Sequence, residues 1–243
     1  MKSALITGAS RGIGRGIAFS LARQGYGLTI TSRSQGDLEK LAAELADSGA
    51  PRVTYHAIDM EDPMALIGLT RVHEKAFDSM TALIVNAGVG TAGPVASFPI
   101  NRLHKTVAVN FTAPFVLIQD ALPLLRSWAA TEPAGAKIIA ISSIVGAFAE
   151  PGLAAYGASK AALLSLIETV NQEESGAGIT ASAVAPAYVE TDMSAWVIDE
   201  IPADTMIPVS DVVAVVDMLV ALGRTTAIPR IVMARSGTRG HSA

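Results

Sequence analysis

Short runs of consecutive apolar residues alternate along this chain with longer stretches in which apolar and polar positions recur at helical spacing. The runs are 4–6, 27–31, 53–58, 82–85, 137–141, 179–184 and 228–233; the helical stretches cover 12–24, 35–48, 62–77, 102–128, 154–174 and 211–222. A strand that is apolar at every position has no face for water, and such strands belong in a parallel sheet covered by helices on both sides. The pattern predicts an α/β fold, a doubly wound parallel sheet of about seven strands. Nothing along 1–243 reads as a repeat, a low-complexity block or a linker, so one domain is expected.

Open sheets of this kind bind ligands beyond the carboxyl ends of their strands. Two long irregular stretches, 88–99 and 186–208, fall at that edge, and the second, from about 188, is expected to act as a lid over a substrate. The tail 236–243 offers little to bury and is expected to be flexible.

Composition narrows the chemistry. Of 243 residues half are hydrophobic and 16% charged, enough apolar material for a large core. The formal net charge is −4 and no basic run occurs, which argues against a nucleic-acid partner. Without cysteine there are no disulfides, thiolate nucleophiles or cysteine-ligated zinc. His56, His73, His104 and His241 are scattered, so no metal is expected. The apolar part of Met1–Thr7 is too short for a signal peptide. Asn110, Gln119, Asp120, Ser142, Ser143 and Glu150 break the apolar stretches before they reach the roughly 18 residues of a membrane span. No membrane contact and a cytoplasmic location are therefore expected.

Three places carry chemistry. Thr7-Gly8-Ala9-Ser10-Arg11-Gly12-Ile13-Gly14 joins the first strand to the first helix, where glycines let the backbone approach a pyrophosphate and a helix N-terminus offers free N–H groups to it. Tyr156 and Lys160, four apart on a helix, share one face, so the ammonium can act on the phenol. Ser143 lies thirteen positions before Tyr156.

This glycine spacing, with Asn86-Ala87-Gly88, Asn110, Ser143, Tyr156-x-x-x-Lys160, and Pro186 with Thr191 in that order, resembles the short-chain dehydrogenase/reductase family in its one-domain form. It is similar to 3-oxoacyl-[acyl-carrier-protein] reductases and carbonyl reductases. The resemblance implies a Rossmann fold and hydride transfer between a nicotinamide and a carbonyl or secondary alcohol. It places Tyr156 as proton donor, Lys160 on the nicotinamide ribose, Ser143 on the substrate oxygen and Asn110 beside a proton-relaying water. It places Asp59 and Met60 at the adenine, Asn86, Ala87 and Gly88 at the adenosine ribose, and Thr191 at the carboxamide. Gly8, Ser10, Arg11, Gly12, Ile13, Gly14, Arg33, Pro186 and Val189 complete the expected cofactor contacts. Plainer readings stand beside these: Asp59 and Thr191 as caps of the helices that follow, Asn110 as a satisfied core amide, and the adjacent Ser142 in place of Ser143.

Carbonyl reduction leaves charge on an oxygen that a positioned acid must protonate. A free phenol titrates near pH 10, so operation near pH 7 calls for roughly 4 kcal/mol, which a cation about 4 Å away at an effective dielectric of about 20 can supply. The second strand ends Thr31-Ser32-Arg33-Ser34 with no carboxylate for a ribose 2′-hydroxyl; Arg33 and Arg11 could converge on a 2′-phosphate, so NADP(H) is expected over NAD(H). Asp37 and Glu39 are the rival acids, explained by the dipole of the next helix.

The expected substrate lining, Gly93-Pro94-Val95, 144–148, Tyr188 and 193–206 with Trp196, is mostly apolar. Glu150 and Glu190 lie near it without an evident basic partner. An apolar ketone, an aldehyde or a 3-oxoacyl compound all fit. Val85, Ala187 and Arg235-Ser236-Gly237 depart from the family's usual residues, and the last leaves open a homodimer, through the helices carrying Asn110 and Tyr156, or a homotetramer. A non-catalytic NADP-binding regulator is the alternative reading; it would need the glycine turn but not the proton donor. An epimerase or dehydratase fits the chain length and glycine spacing less well.

Overall fold

Alternation within the strands decides which helices cover which face of the sheet. In β1 (Ser3–Thr7) every position is buried, with Ala4 and Ile6 packed into one core and Leu5 into another. The computed structural model describes residues 1–238 and continues with α1 (Gly12–Arg23), β2 (Gly27–Ser32), α2 (Gln35–Asp47), β3 (Val53–Ala57), α3 (Pro63–Phe77) and β4 (Ala82–Val85). There follow α4 (Ile100–Val107), α5 (Ala113–Thr131), β5 (Ala136–Ile141), α6 (Ala154–Glu174), β6 (Ile179–Pro186), α7 (Val209–Ala221) and β7 (Arg230–Met233). Ile84, Ile139 and Val184 join Ile6 against Ile17 and Leu21 of α1, Leu41 of α2 and Val216 of α7. Leu83, Ile138 and Ala183 join Leu5 against Leu69 of α3, Leu117 of α5 and Ile167 of α6. Two cores on one sheet is the doubly wound arrangement that the apolar runs predict.

The seven strands run parallel in the order β3-β2-β1-β4-β5-β6-β7. The chain winds outward from β1 to β3 and then returns to β4, so the crevice at the carboxyl ends of β1 and β4 is the switch point where such sheets bind ligands.

Three elements differ from the expected pattern. β6 runs on to Pro186 because Met233 pairs with it and the Ala187 amide donates to the Met233 carbonyl. β7 starts late, at Arg230, after Pro229, which has no N–H to give to a ladder. The single helix expected over 102–128 is a continuous 100–131 run in which a π-helical turn, Ala108–Thr112, separates α4 from α5. Among the described residues this run is the one helix long and apolar enough to cross a membrane by length and composition. Its Leu117, Ala121 and Leu125 are fully buried against the sheet, which accounts for that apolarity.

The segment 188–208 is stitched at its base. A parallel bridge joins Val189 to Ile207; the Glu190 amide donates to the Ile207 carbonyl and the Ile207 amide to the Tyr188 carbonyl, each at 2.9 Å. Between those ends lie two 3-10 turns, Asp192–Val197 and Ala203–Thr205. Of the tail 236–243, residues from 239 onward lie outside the described residues. Of the histidines, His73 is buried beneath the sheet, bonded to Thr29 Oγ1 at 2.8 Å and Ser3 Oγ at 3.2 Å, and burial pushes it down to about 4.

Candidate active site

A cleft of about 670 Å³ opens at the switch point. It is lined by Gly8, Ser10, Arg11, Gly12, Ile13, Arg33, Asp59, Met60, Asn86, Ala87, Gly88, Ser143, Tyr156, Lys160, Pro186, Val189 and Thr191. Of the residues singled out in the sequence, Gly14 and Asn110 stand behind its wall.

At the β1 end the backbone makes a turn that only glycine adopts cheaply: Gly8 has φ +66° and Gly12 φ +54°. Gly14 is required for a different reason, since a Cβ there would lie 2.3 Å from the Gly8 carbonyl oxygen and 2.4 Å from Asn86 Nδ2. Asn86 locks the turn to β4. Its Nδ2 donates to the Thr7 and Gly8 carbonyls at 2.9 and 3.0 Å, while Thr7 Oγ1 accepts from the amides of Asn86 and Ala87. The helix that follows has no side-chain cap and no acidic residue in its first turn, so the positive end of its dipole is not answered by a side chain of that turn. This cradle fits a pyrophosphate.

Beyond the turn the cleft is edged by charge. Arg33 follows β2, and Ser34 caps α2 by accepting from the Asp37 amide. The expected convergence of Arg11 with Arg33 is altered by a partner far along the chain: Arg11 Nη1 lies 3.0 Å from Asp192 Oδ2, an exposed ion pair between the glycine turn and the 192–197 turn. A second pair, Lys105 with Glu61, joins two more residues of the cleft lining. Asp59 is not the cap of α3; its Oδ1 accepts from the Glu61 amide at 3.0 Å, and Asp62 caps the helix through the amides of Met64 and Ala65. Thr191 likewise makes no side-chain cap bond, and packs on the glycine turn with its Cγ2 3.2 Å from where a Cβ of Gly12 would be.

The opposite end of the cleft is built from β5 and α6. Ser142 and Ser143 leave β5 in succession and part company. The Ser142 hydroxyl donates to the Lys160 carbonyl at 3.0 Å, while that of Ser143 donates to the Pro186 carbonyl at 3.5 Å and accepts from the Val145 amide at 3.4 Å, close enough to Tyr156 to act on its phenol. Tyr156 is half-buried and faces the cleft. Burial pushes its phenol up to about 12, against the pull of the Ser143 hydrogen bond and with a further rise from Tyr188. Lys160 is buried, and desolvation pushes it down to about 8. Its Nζ donates to the Ile141 carbonyl at 2.9 Å and sits 5.8 Å from the Tyr156 ring centre. The depression of the phenol argued from spacing alone is therefore absent from this arrangement, because desolvation outweighs an ammonium committed to a carbonyl.

Asn110 sits in the π-helical turn, fully buried. Its Oδ1 accepts from the Val89 amide at 2.9 Å; its Nδ2 donates to the Val89 carbonyl at 3.0 Å and to Ser159 Oγ at 3.1 Å. As a side chain it is the satisfied core amide, tying the loop after β4 to α6. Both Asn110 Oδ1 and Lys160 Nζ crowd Gly88, at 3.3 and 3.4 Å from where its Cβ would be.

The expected substrate lining needs correction. Residues 93–95 do not face the cleft, and Val95 is 77% exposed; of 144–148 only Val145 lines it. Tyr188, Met193 and Trp196 line it as expected, joined by Val89 to Ala92 and Leu153, with Tyr188 and Trp196 in edge-to-face contact at 6.1 Å. Tyr188 is pushed up by burial and by Glu150 and pulled down by Arg235, so Glu150 does share its surroundings with a cation. Sequence reasoning missed Ser159, Asp192 and the Lys105–Glu61 pair. Ser159 stands inside Tyr156-x-x-x-Lys160 at a position the motif leaves open, and Asp192 finds its partner 181 positions away.

A switch-point cleft with a glycine cradle at one end and a half-buried tyrosine beside a buried lysine and serine at the other defines an oxidoreductase of the dinucleotide-binding fold class. The family model for short chain dehydrogenase matches residues 2–201, and the chain belongs to that family. It is 34% identical over 217 residues to the 3-oxoacyl-[acyl-carrier-protein] reductase FabG of Staphylococcus aureus, covering 86% of this chain and 84% of that one. A 3-oxoacyl-[acyl-carrier protein] reductase from Brucella melitensis, solved in complex with NAD, superimposes with a TM-score of 0.81 at 28% identity over 90% of this chain and 89% of that one. An alcohol dehydrogenase from the archaeon Thermococcus sibiricus, solved with 5-hydroxy-NADP, shares the fold at a TM-score of 0.85 and 24% identity, with 99% of each chain covered.

Proposed function

We propose that this protein is an NADP(H)-dependent reductase of apolar ketones, aldehydes or 3-oxoacyl compounds. The observation that carries the reading is the placement of Tyr156, Ser143 and Lys160 at the far end of the cleft that begins at the glycine cradle. The nicotinamide supplies the hydride when bound. Tyr156, protonated throughout the neutral range, gives its proton to the substrate oxygen while Ser143 donates a hydrogen bond to that oxygen. Lys160 holds positive charge beside them and would take the nicotinamide ribose. Asn110 braces the loop after β4, which carries Gly88 and Val89 along the cleft wall. Gly8, Ser10, Arg11, Gly12, Ile13 and Gly14 would hold the phosphates, and Arg33 would take a 2′-phosphate. Asp59, Met60, Asn86, Ala87 and Gly88 take the adenosine side; Pro186, Val189 and Thr191 take the nicotinamide side. The 188–208 segment serves as the lid, and Leu153, Val145, Met193 and Trp196 favour an apolar substrate. The expected assembly is a homodimer through α5 and α6 or a homotetramer.

Following NADPH and NADH absorbance against a panel of ketones, aldehydes and 3-oxoacyl thioesters tests the reading. Turnover of apolar carbonyls with the higher kcat/KM for NADPH is expected. Higher kcat/KM with NADH overturns the cofactor assignment, and tight NADPH binding with no turnover of any carbonyl overturns the reductase.

A further inference from the structure

Asp192 holds the guanidinium on which 2′-phosphate recognition would depend. Arg11 occupies the capping position of α1, and its Nη1 reaches Asp192 Oδ2 at 3.0 Å. The two ends of that pair are not equally free. Asp192 opens a braced turn: the Ser194 amide donates to the Thr191 carbonyl at 2.9 Å, Ser194 Oγ donates to the Val189 carbonyl at 2.8 Å, and Thr191 packs on Gly12. Arg11 hangs on a long, exposed side chain and can swing away. Around it the cleft lining carries Arg33, Arg102 and Lys105 as further cations, with Asp37, Asp59 and Glu61 as acids; Lys105 is paired with Glu61, and Arg33 follows β2 directly.

We infer that Asp192 is a positioning residue for cofactor choice: it competes with a 2′-phosphate for Arg11 and so weakens the preference for NADP(H) over NAD(H). The inference rests on the proposed role of Arg11 and Arg33. A dianionic phosphate takes Arg11 only after its bond to a carboxylate is broken, and the released carboxylate then stands near the incoming charge. A cofactor with a free 2′-hydroxyl leaves the pair intact and feels neither term.

Calorimetric titration with 2′,5′-ADP and with 5′-AMP isolates this effect, because neither ligand carries a nicotinamide and no turnover is read. Asp192→Asn should tighten 2′,5′-ADP by about three- to fivefold, the range of an exposed ion pair, and leave 5′-AMP within about twofold. Asp192→Glu should restore the wild-type ratio, and Glu168→Gln, which opens the exposed Arg230–Glu168 pair away from the cleft, controls for net charge. In an Arg11→Gln background the gain from Asp192→Asn should vanish. If Arg11→Gln weakens 2′,5′-ADP while Asp192→Asn gains nothing, this inference fails and the two-arginine reading stands. If the wild-type protein binds both ligands equally and Arg11→Gln changes neither, the two-arginine reading fails and takes the inference with it.

Discussion

The two ends of the cleft are held in opposite ways. At the chemical end Lys160 is 4% exposed, and it, Ser142, Ser159 and Asn110 are each tied by hydrogen bonds that close within the core. At the phosphate end the charged groups are exposed and paired between segments distant in sequence: Arg11 with Asp192, Lys105 with Glu61. Buried hydrogen bonds fix geometry because breaking one strands a polar group, at a cost of about 1–3 kcal/mol. Exposed ion pairs contribute about 0–1 kcal/mol each and exchange partners easily. On the proposed reading, chemistry is built where the protein is stiff, and selection between cofactors is left to groups that small perturbations can redirect.

The largest test of that contrast is Tyr156→Phe. It removes a hydroxyl and leaves the ring, so NADPH affinity should stay within about twofold while kcat falls by about a thousandfold, within the range for losing a positioned acid. Fluorescence titration of NADPH alongside stopped turnover checks both halves. Substantial retained activity would remove Tyr156 as the acid. Gly14→Ala tests the one rigid part of the phosphate end. Its Cβ would meet the Gly8 carbonyl oxygen and the Asn86 amide together, so the cradle must deform. We expect a loss of about 1–3 kcal/mol in thermal stability from overpacking and a tenfold or greater rise in the NADPH dissociation constant; an unchanged melting curve would mean that the turn yields.

How much of this was legible in the residues follows the same division. The apolar runs marked the seven strands because a two-sided sheet leaves a local trace, and the glycine turn and Tyr156-x-x-x-Lys160 are local by construction. The π-helical turn at Asn110 left no trace, since the apolar pattern runs through Val107, Val109 and Phe111 without a break in composition. The ammonium's bond to the Ile141 carbonyl was likewise invisible: spacing brings Lys160 near Tyr156 but not which acceptor it takes. Arg11 was read as free for a phosphate because nothing near it in sequence says that Asp192 is its neighbour.

The pH response sharpens the comparison from the buried side. Lys160 titrates at about 8 in the folded protein against an ordinary 10.5, so reductase activity that needs its charge should decline as pH rises through about 8, to roughly a tenth by pH 9. Stability should move the other way. Between about pH 8 and 10.5 the unfolded chain holds a proton that the folded one has lost, so unfolding free energy rises with pH, by up to ~3 kcal/mol from this group. Lys137, also lowered by burial, adds in the same direction. Tyr156 opposes it above about 10, where the folded phenol keeps its proton to about 12. Lys160→Met separates the contributions: turnover should be lost, and at pH 7 the variant should melt higher than the wild type. A lower melting temperature would mean that the bond to Ile141 outweighs the cost of burying the charge.

Salt gives the smallest and most discriminating effect. The Debye length falls from about 10 Å at 0.1 M to about 3 Å at 1 M, which screens exposed charges and barely touches buried ones. Raising salt should therefore erode the ratio of NADPH to NADH kcat/KM while kcat at saturating NADPH stays level. Arg33→Gln should lower that ratio by about fivefold at low salt, the upper range of one exposed charge interaction, and should remove part of its salt dependence. A kcat that tracked ionic strength as steeply as the cofactor ratio would mean that the two ends of the cleft are not separate, and that the exposed charges reach the chemistry through the 188–208 segment that joins them.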